Sequence, residues 1–392
     1  MYIALLGRQP EISIAELEQV YGDVSWFSET SALVETTEPI DIQRLGGSQK
    51  IGRVVLTLPA RDWRTVSMKI VSHYTKAWAA FEGKLTLGIS VYGADVPVRD
   101  IQKTGLILKS KLKQSGASLR LIPNQEAALS TATSHHNKLG LTDNKVELLV
   151  IRGRDQVIVA ESIGAQNITA LAARDQGRPR RDAFVGMLPP KLAQIMINLA
   201  GPLSGGKKEA PARILDPFCG TGVILQEALL LRHAAYGTDL AEKMVRYSHD
   251  NLTWLQEHAG ITSANWEVHE GDAMTTEWHG PIDAVVSETY LGQPFSAPPS
   301  SSKLTEVRGN CHHIVSAFLK NLAGQIAPGT PVVIAVPAWR AIDGSFTHLP
   351  LVKDLERLGY EEMSLRTVRP DQLLYFRPDQ VVAREILLLK KL

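Results

Sequence analysis

The sequence predicts an α/β fold: a seven-stranded, mostly parallel sheet with an antiparallel last strand over residues 188–392, preceded by two small α+β units. Three observations carry this expectation. From residue 212 onward, apolar strand-like runs alternate with amphipathic helical stretches, the order that lays a parallel sheet between layers of helices. The last pair of strands, joined through Pro370 to Pro378, has no helix between its members and therefore closes as an antiparallel hairpin at the sheet edge. Finally, the apolar run Ile214-Leu215 passes through Asp216-Pro217-Phe218-Cys219-Gly220-Thr221-Gly222 into a helical pattern at Val223-Ile224-Leu225, a strand–turn–helix transition.

The elements follow in order. In the first 58 residues, Tyr2 to Leu6 suits a strand, Ser13 with Glu16 three residues on reads as a capping box, and Ser31 to Thr37 alternates as a second strand. Residues 59–165 read as a second α+β unit. Lys84 to Tyr92 places Leu85, Leu87, Ile89 and Val91 on one face of a strand. Arg99 to Gly116 is a helix with Ile101, Leu108 and Leu112 inward, Lys103, Lys109, Lys111 and Lys113 outward, and a glycine at its end. Leu119 to Ile122 and Val146 to Ile151 are strands, with a helix around Ala127 to Leu139 between them. His135 and His136 lie there; adjacent histidines diverge on a helix and no partner stands at ligand spacing, so a surface role is expected and no metal site.

Residues 166–187 read as a connector, with Arg174, Arg178, Arg180 and Arg181 interrupted by Gly177 and Pro179. Leu188, Leu192, Ile195, Met196 and Leu199 then share one helical face, with Pro189 and Pro190 at its first turn. Gly201 to Pro211 is a loop. Beyond it, strands fit 213–216, 235–238, 266–269, 282–287, 331–336, 362–368 and 382–389, and helices fit 223–232, 241–258, 303–325 and 349–358.

Composition bounds the function classes. A 392-residue chain with 44% hydrophobic residues and a mean hydropathy of −0.05 has the make-up of an ordinary soluble, multi-domain protein. No apolar run reaches membrane-spanning length, and Met1-Tyr2-Ile3-Ala4 lacks a signal peptide's basic flank, so no membrane partner and a cytoplasmic address are expected. Cys219 and Cys311 are too few for a disulfide framework or a cysteine-rich zinc site. The net charge of +1 conceals an asymmetry: residues 1–43 hold one base against eight acids, residues 44–120 fourteen bases against four. Such a basic block suits a polyanion, although most charge runs only solvate helices.

The loop at 216–222 carries the chemistry. Gly220 and Gly222 allow a tight turn without Cβ obstruction, and the following helix offers unpaired N–H groups. Nicotinamide-binding loops read Gly-x-Gly-x-x-Gly, and here Leu225 stands in the third glycine's place. Asp-Pro-Phe-Cys-Gly-Thr-Gly instead resembles motif I of S-adenosylmethionine-dependent methyltransferases. That resemblance implies S-adenosyl-L-methionine as cofactor, with Asp216 facing the methionine ammonium, Asp239 the ribose hydroxyls and Asp272 the adenine amine. Each acid alone reads equally as a turn or helix cap; three at successive strand ends after a Gly-Thr-Gly loop are harder to attribute to capping. Pro189, Phe218, Gly220, Gly222, Leu240 and Ala273 complete the expected cofactor set.

Enzymes that methylate exocyclic base amines resemble one another in an Asp/Asn/Ser-Pro-Pro-Tyr/Phe tetrapeptide after the fourth strand. The chain reads Ser287-Glu288-Thr289-Tyr290 there. Ser287 and Tyr290 match, both prolines are missing, and Glu288 adds a carboxylate able to accept from an amine or to repel phosphates. Ser287, Glu288 and Tyr290 are the candidate catalytic residues; as an alternative they only cap a strand, leaving activity altered or absent.

Residues 59–165 resemble a THUMP domain, an RNA-binding module of tRNA-modifying enzymes, and residues 1–58 a ferredoxin-like unit. Together with the connector, the 188–200 helix and the C-terminal Tyr375-Phe376-Arg377-Pro378-Asp379-Gln380 followed by Arg384-Glu385-Ile386, the chain resembles the archaeal and eukaryotic tRNA guanine-N2-methyltransferases. These are UPF0020-like, class I (Rossmann-like) enzymes. The resemblance implies methyl transfer to a guanine N2 of tRNA, with ribosomal RNA or DNA adenine as alternative substrates and a catalytically inactive RNA-binding protein as the rival reading. An activating protein subunit and the oligomeric state are left open by the sequence.

Overall fold

The structure, a computed structural model, describes residues 1–59, 62–182, 187–203, 211–261 and 265–392. The expected connector's residues 183–186 and the expected loop's residues 204–210 lie outside that range. The chain divides into two compact units, one of residues 1–10 and 23–170, the other of residues 11–22 and 171–392.

In chain order the elements up to the junction are β1 (Tyr2–Leu6), α1 (Pro10–Tyr21), β2 (Val24–Ser28), β3 (Ser31–Val34), β4 (Ser48–Pro59), α2 (Trp63–Ala77), β5 (Lys84–Tyr92), α3 (Val98–Gln114), β6 (Ser118–Leu121), α4 (Thr131–His136), β7 (Lys145–Arg152), β8 (Gln156–Ala165) and α5 (Ile168–Gln176). The first unit is built on one eight-stranded sheet, ordered β2-β3-β1-β4-β8-β7-β5-β6. β5 pairs in parallel with β6 and β7, and the other pairings are antiparallel. The segments 1–58 and 59–165 thus share this sheet, because β4 pairs with β8 from Lys50↔Ala165 to Pro59↔Gln156. Val66, Ile70 and Tyr74 of α2 meet Ile101, Leu108 and Leu112 of α3 over the buried Leu85, Leu87, Ile89 and Val91 of β5. Lys103, Lys109, Lys111 and Lys113 are exposed along α3. α4 is six residues long, shorter than the helix expected over 127–139, and β4 and β8 were not anticipated.

Two buried charges cross this sheet. Lys50 Nζ lies 2.5 Å from Glu147 Oε1 and 2.7 Å from the Leu129 carbonyl, and the Ser90 hydroxyl donates to the same Glu147 oxygen at 2.6 Å. With both ions enclosed, each is stable only while the other is present.

The second unit continues with α6 (Pro190–Leu199), β9 (Arg213–Asp216), α7 (Val223–Leu230), β10 (Ala234–Asp239), α8 (Glu242–Ala259), β11 (Trp266–Glu270), β12 (Ala284–Glu288), α9 (Ser301–Ala323), β13 (Pro331–Arg340), β14 (Phe346–Thr347), α10 (Leu355–Leu358), β15 (Tyr360–Glu362), β16 (Leu374–Tyr375) and β17 (Val382–Lys391). Seven strands run in the order β11-β10-β9-β12-β13-β17-β15, and the short β14 and β16 flank β13 and β17. The five from β11 to β13 are parallel, while β17 is antiparallel to both β13 and β15. This is the expected sheet, with the last strand inserted one place in from the edge. α9 packs Val315, Phe318, Leu319 and Leu322 into the core on Val285, Val332 and Ile334.

α1 belongs to this unit. Its Ser13 is buried within the helix and does not cap it; the helix opens three residues earlier, at Pro10, where a missing N–H costs nothing. Asn198 of α6 donates to Glu16 at 2.7 Å, and Glu18 accepts from the Thr367 N–H and hydroxyl at 2.9 and 2.6 Å. Residues 171–182 are held in the same unit, Arg174 gripping the buried Glu227 of α7 with two bonds of 2.6 and 3.1 Å. Such planar two-point pairing adds geometric specificity to the charge.

Candidate active site

β9 is the point at which the sheet changes direction of growth: β10 and β11 lie on one side of it, β12 and β13 on the other. Connections leaving a parallel sheet diverge at such a strand and open a crevice beyond the strands' carboxyl ends. Asp216 closes β9, Asp239 closes β10 and Glu288 closes β12, so three acidic residues stand at the strand ends beside that crevice.

The loop between β9 and α7 is shaped by two glycines of positive φ, +53° at Gly220 and +79° at Gly222. A Cβ on Gly222 would stand 3.0 Å from Ser248 Oγ of α8, so this glycine allows close packing inside the protein. Gly220 is different. A Cβ there would meet nothing nearer than the Phe218 carbonyl at 4.0 Å, so a ligand could lie against bare backbone. The Ser248 hydroxyl donates to the Gly220 carbonyl at 2.8 Å, and the Gly220 N–H donates to Asp239 Oδ2 at 2.9 Å. Asp239 Oδ1 accepts from the Ala241 N–H at 2.9 Å. The Asp239 carboxylate thereby ties the loop to β10 and still has lone pairs for further donors. Burial pushes its pKa above the ordinary value, opposed by those two N–H groups.

Asp216 is nearly enclosed. Its Oδ1 accepts the Ser287 hydroxyl at 2.6 Å and the Phe218 N–H at 3.2 Å. Burial dominates and pushes the carboxyl up to about 7, against the pull of these two bonds, with smaller repulsions from Asp239 and Glu288. A carboxyl held there exchanges its proton near neutral pH.

The tetrapeptide after β12 takes a form the sequence did not reveal. Ser287 is fully enclosed and its proton is committed to Asp216, leaving the oxygen as an acceptor only. Glu288 Oε1 accepts from Arg384 Nε, and the two side chains are 16% and 9% exposed. Arg384 lies on β17 and reaches over β13, where Ala335, opposite Glu288, carries only a methyl group. The pair cancels the charge that would otherwise repel phosphates. The N–H and hydroxyl of Thr289 both donate to the Ala335 carbonyl at 3.0 Å. These bonds hold the backbone after Glu288 where two proline rings would otherwise stiffen it. Tyr290 follows, 42% exposed, with a ring open to stacking.

The remaining expected residues fall as follows. Asp272 accepts from the Met274 N–H at 2.9 Å and its carbonyl takes the N–H groups of Thr275 and Thr276, so it caps the turn after β11. Ala273 beside it is buried. Leu240, directly after Asp239, is 69% exposed, an apolar surface that a flat ring could cover. Phe218 packs edge-on against Phe318 at 5.2 Å. Pro189 opens α6, its carbonyl accepting from Leu192 and Ala193, and among the described residues no hydrogen bond ties it to the glycine loop. Sequence reasoning missed the roles of Arg384, Ser248 and Thr289. Arg384 alone left a signal, an arginine beside Glu385 directly ahead of the apolar run 386–389, which is stable when buried only if paired.

Comparison with known proteins fits this geometry. Residues 178–316 match the family model described as UPF0020, RMKL-like, methyltransferase domain. The chain is 32% identical over 194 residues to a tRNA (guanine(10)-N2)-dimethyltransferase of Methanothermobacter thermautotrophicus, covering 49% of this chain and 48% of that protein. It is 34% identical over 122 residues to the enzyme of the same name from Pyrococcus abyssi, covering 30% of each. The match thus spans about half the length of the first relative and less of the second. Among solved structures, TrmN from Thermus thermophilus superposes on 100% of this chain and 99% of its own, with a TM-score of 0.51 at 15% identity, a likeness of fold. Residues 178–316 therefore match the UPF0020 methyltransferase domain model, and the sheet with its crevice and reversed last strand has the α/β fold shared with TrmN.

Proposed function

We propose that the chain is an S-adenosylmethionine-dependent RNA methyltransferase acting on an exocyclic amine of tRNA, with guanine N2 as its target. The observation that carries this reading is the open backbone at Gly220 between the carboxylates of Asp216 and Asp239. A sulfonium nucleoside laid on that loop would bring its ammonium toward Asp216 and its ribose hydroxyls toward Asp239, and the adenine would cover Leu240. The relatives named for guanine-N2 dimethylation support the choice of amine and of tRNA.

An exocyclic amine is a poor nucleophile because its lone pair is delocalised into the ring. Acceptors on its two hydrogens favour a pyramidal nitrogen aimed at the methyl group, and in-line positioning supplies much of the remaining acceleration. The backbone carbonyl of Glu288, steadied by the Thr289–Ala335 bonds, and the Glu288 carboxylate oxygen turned away from Arg384 are the acceptors this chain offers, while the enclosed Ser287 acts through its bond to Asp216. Tyr290 would stack on a base drawn out of its own stack. The exposed lysines of α3 suit phosphate contacts, which position RNA without reading sequence.

A second reading, RNA binding with cofactor but without turnover, draws on the enclosure of Ser287 and the pairing of Glu288 with Arg384. Incubation of purified tRNA, ribosomal RNA and duplex DNA with methyl-labelled cofactor, followed by nucleoside mass spectrometry, separates the readings. N2-methylguanosine in tRNA alone is the expected product. Cofactor binding with no label in any pool would support the inactive reading.

A further inference from the structure

We propose that Glu267, His269 and His279 form a binding site for a divalent transition-metal ion, zinc being the best chemical match. Side chains two apart on a strand share a face, so β11 presents Glu267 and His269 together on one side of the sheet's edge strand. The turn before β12 supplies His279, immediately ahead of Gly280, whose φ is +81°. One ligand atom from each residue lies within 4.8 Å of the other two. His269 Nε2 and Glu267 Oε2 are 3.2 Å apart. A tetrahedral ion with bonds of about 2.0–2.1 Å needs neighbouring ligand atoms separated by about 3.3 Å, so one edge of the tetrahedron is already present and only the His279 side chain must close in.

The surroundings order these ligands. Both imidazoles lean on the buried ring of Tyr236, with centroid distances of 6.0 Å for His269 and 5.7 Å for His279. Arg213 runs beneath Gly280, donates to the His279 carbonyl and holds Glu267 Oε1. It leaves Oε2, the oxygen facing His269, for the ion. A carboxylate oriented through its other oxygen is the usual supporting arrangement for a ligating acid. Arg213 also places a positive charge close by, which weakens binding relative to a site without it. Imidazole and carboxylate donors select zinc, cobalt or nickel over magnesium or calcium, and three protein ligands leave a fourth position for water. Bound there, the ion would clamp the edge strand β11 to the segment that leads into β12. This inference does not depend on the proposed methyl transfer.

The test uses the full chain stripped of metal with a chelator and titrated with zinc by calorimetry, then with cobalt by visible absorption. The expected result is one ion per chain, a tetrahedral cobalt band, and a rise in melting temperature with zinc. His269→Ala and His279→Ala, both at exposed positions, should each abolish the band and the thermal shift, while His258→Ala on α8 leaves both unchanged. Absence of saturable zinc binding to the folded wild-type chain would overturn the proposal. So would binding that survives in the His269→Ala/His279→Ala double variant.

Discussion

With the cofactor's ammonium against Asp216, as proposed, cofactor binding should be proton-linked. Its carboxyl is held at about 7 by burial, so near neutral pH it is only about half ionised. A ligand ammonium binds the ionised form, and apparent affinity scales with the fraction in that form. For a pKa of 7 that fraction rises from about 0.1 at pH 6 to about 0.9 at pH 8, an expected gain in affinity of about 10-fold, with release of about 0.9 proton per ligand at pH 6 falling to about 0.1 at pH 8. Calorimetry with S-adenosylmethionine at pH 6, 7 and 8, in buffers of differing ionisation heat, reads both quantities. Asp216→Asn keeps an acceptor for the Ser287 hydroxyl and should bind more weakly with no pH dependence. Stability moves oppositely. Because the folded pKa is raised above 3.8, the native state keeps its proton longer than the unfolded chain. The stability associated with this group is full below about pH 4, declines as pH rises to about 7 and is level beyond, a change on the order of 4 kcal/mol. Asp216→Asn should therefore be the more stable protein at pH 8 and lose that advantage toward pH 4. Wild-type affinity that stays flat from pH 6 to pH 8, with no proton released, would refute the placement of the ammonium against Asp216.

Other outcomes follow from single contacts. Arg384→Met strands Glu288 in a nearly closed site and should cost about 3 kcal/mol in denaturant unfolding, with Arg384→Met/Glu288→Gln recovering most of it. Thr289→Val removes one bond to Ala335 and should cost about 1 kcal/mol, and a larger loss of methyl transfer than of cofactor affinity would indicate that the acceptor carbonyl has moved. Gly220→Ala, at φ +53° but in open space, should cost only about 1 kcal/mol of stability while weakening cofactor binding at least 10-fold by calorimetry. Lys50→Met leaves Glu147 unpaired in the first unit and should lower its unfolding free energy by about 3 kcal/mol, with cofactor affinity unchanged.

Local patterns were legible where each element carries its own signal. β5 and α3 follow from the spacing of Leu85, Leu87, Ile89 and Val91 and of Ile101, Leu108 and Leu112, because burial on one face imposes a period. β4 was not foreseen: its polar outer residues and Gly52 blur the alternation, and its stability comes from partners on two sides. The capping box at Ser13 failed for a related reason, since Pro10 starts the helix and burial on the second unit takes Ser13 inside.

By itself, the sequence determined the glycine loop, the acids at the ends of β9 and β10, and the parallel sheet with its reversed last strand, because turn geometry and hydrophobic period are written in neighbouring residues. Only the tertiary structure decided how those acids behave. Ser287 meets Asp216 across 71 residues and Arg384 meets Glu288 across 96. The charge of a buried carboxyl depends on its solvation and on whichever group packs beside it, and neither is encoded within reach along the chain.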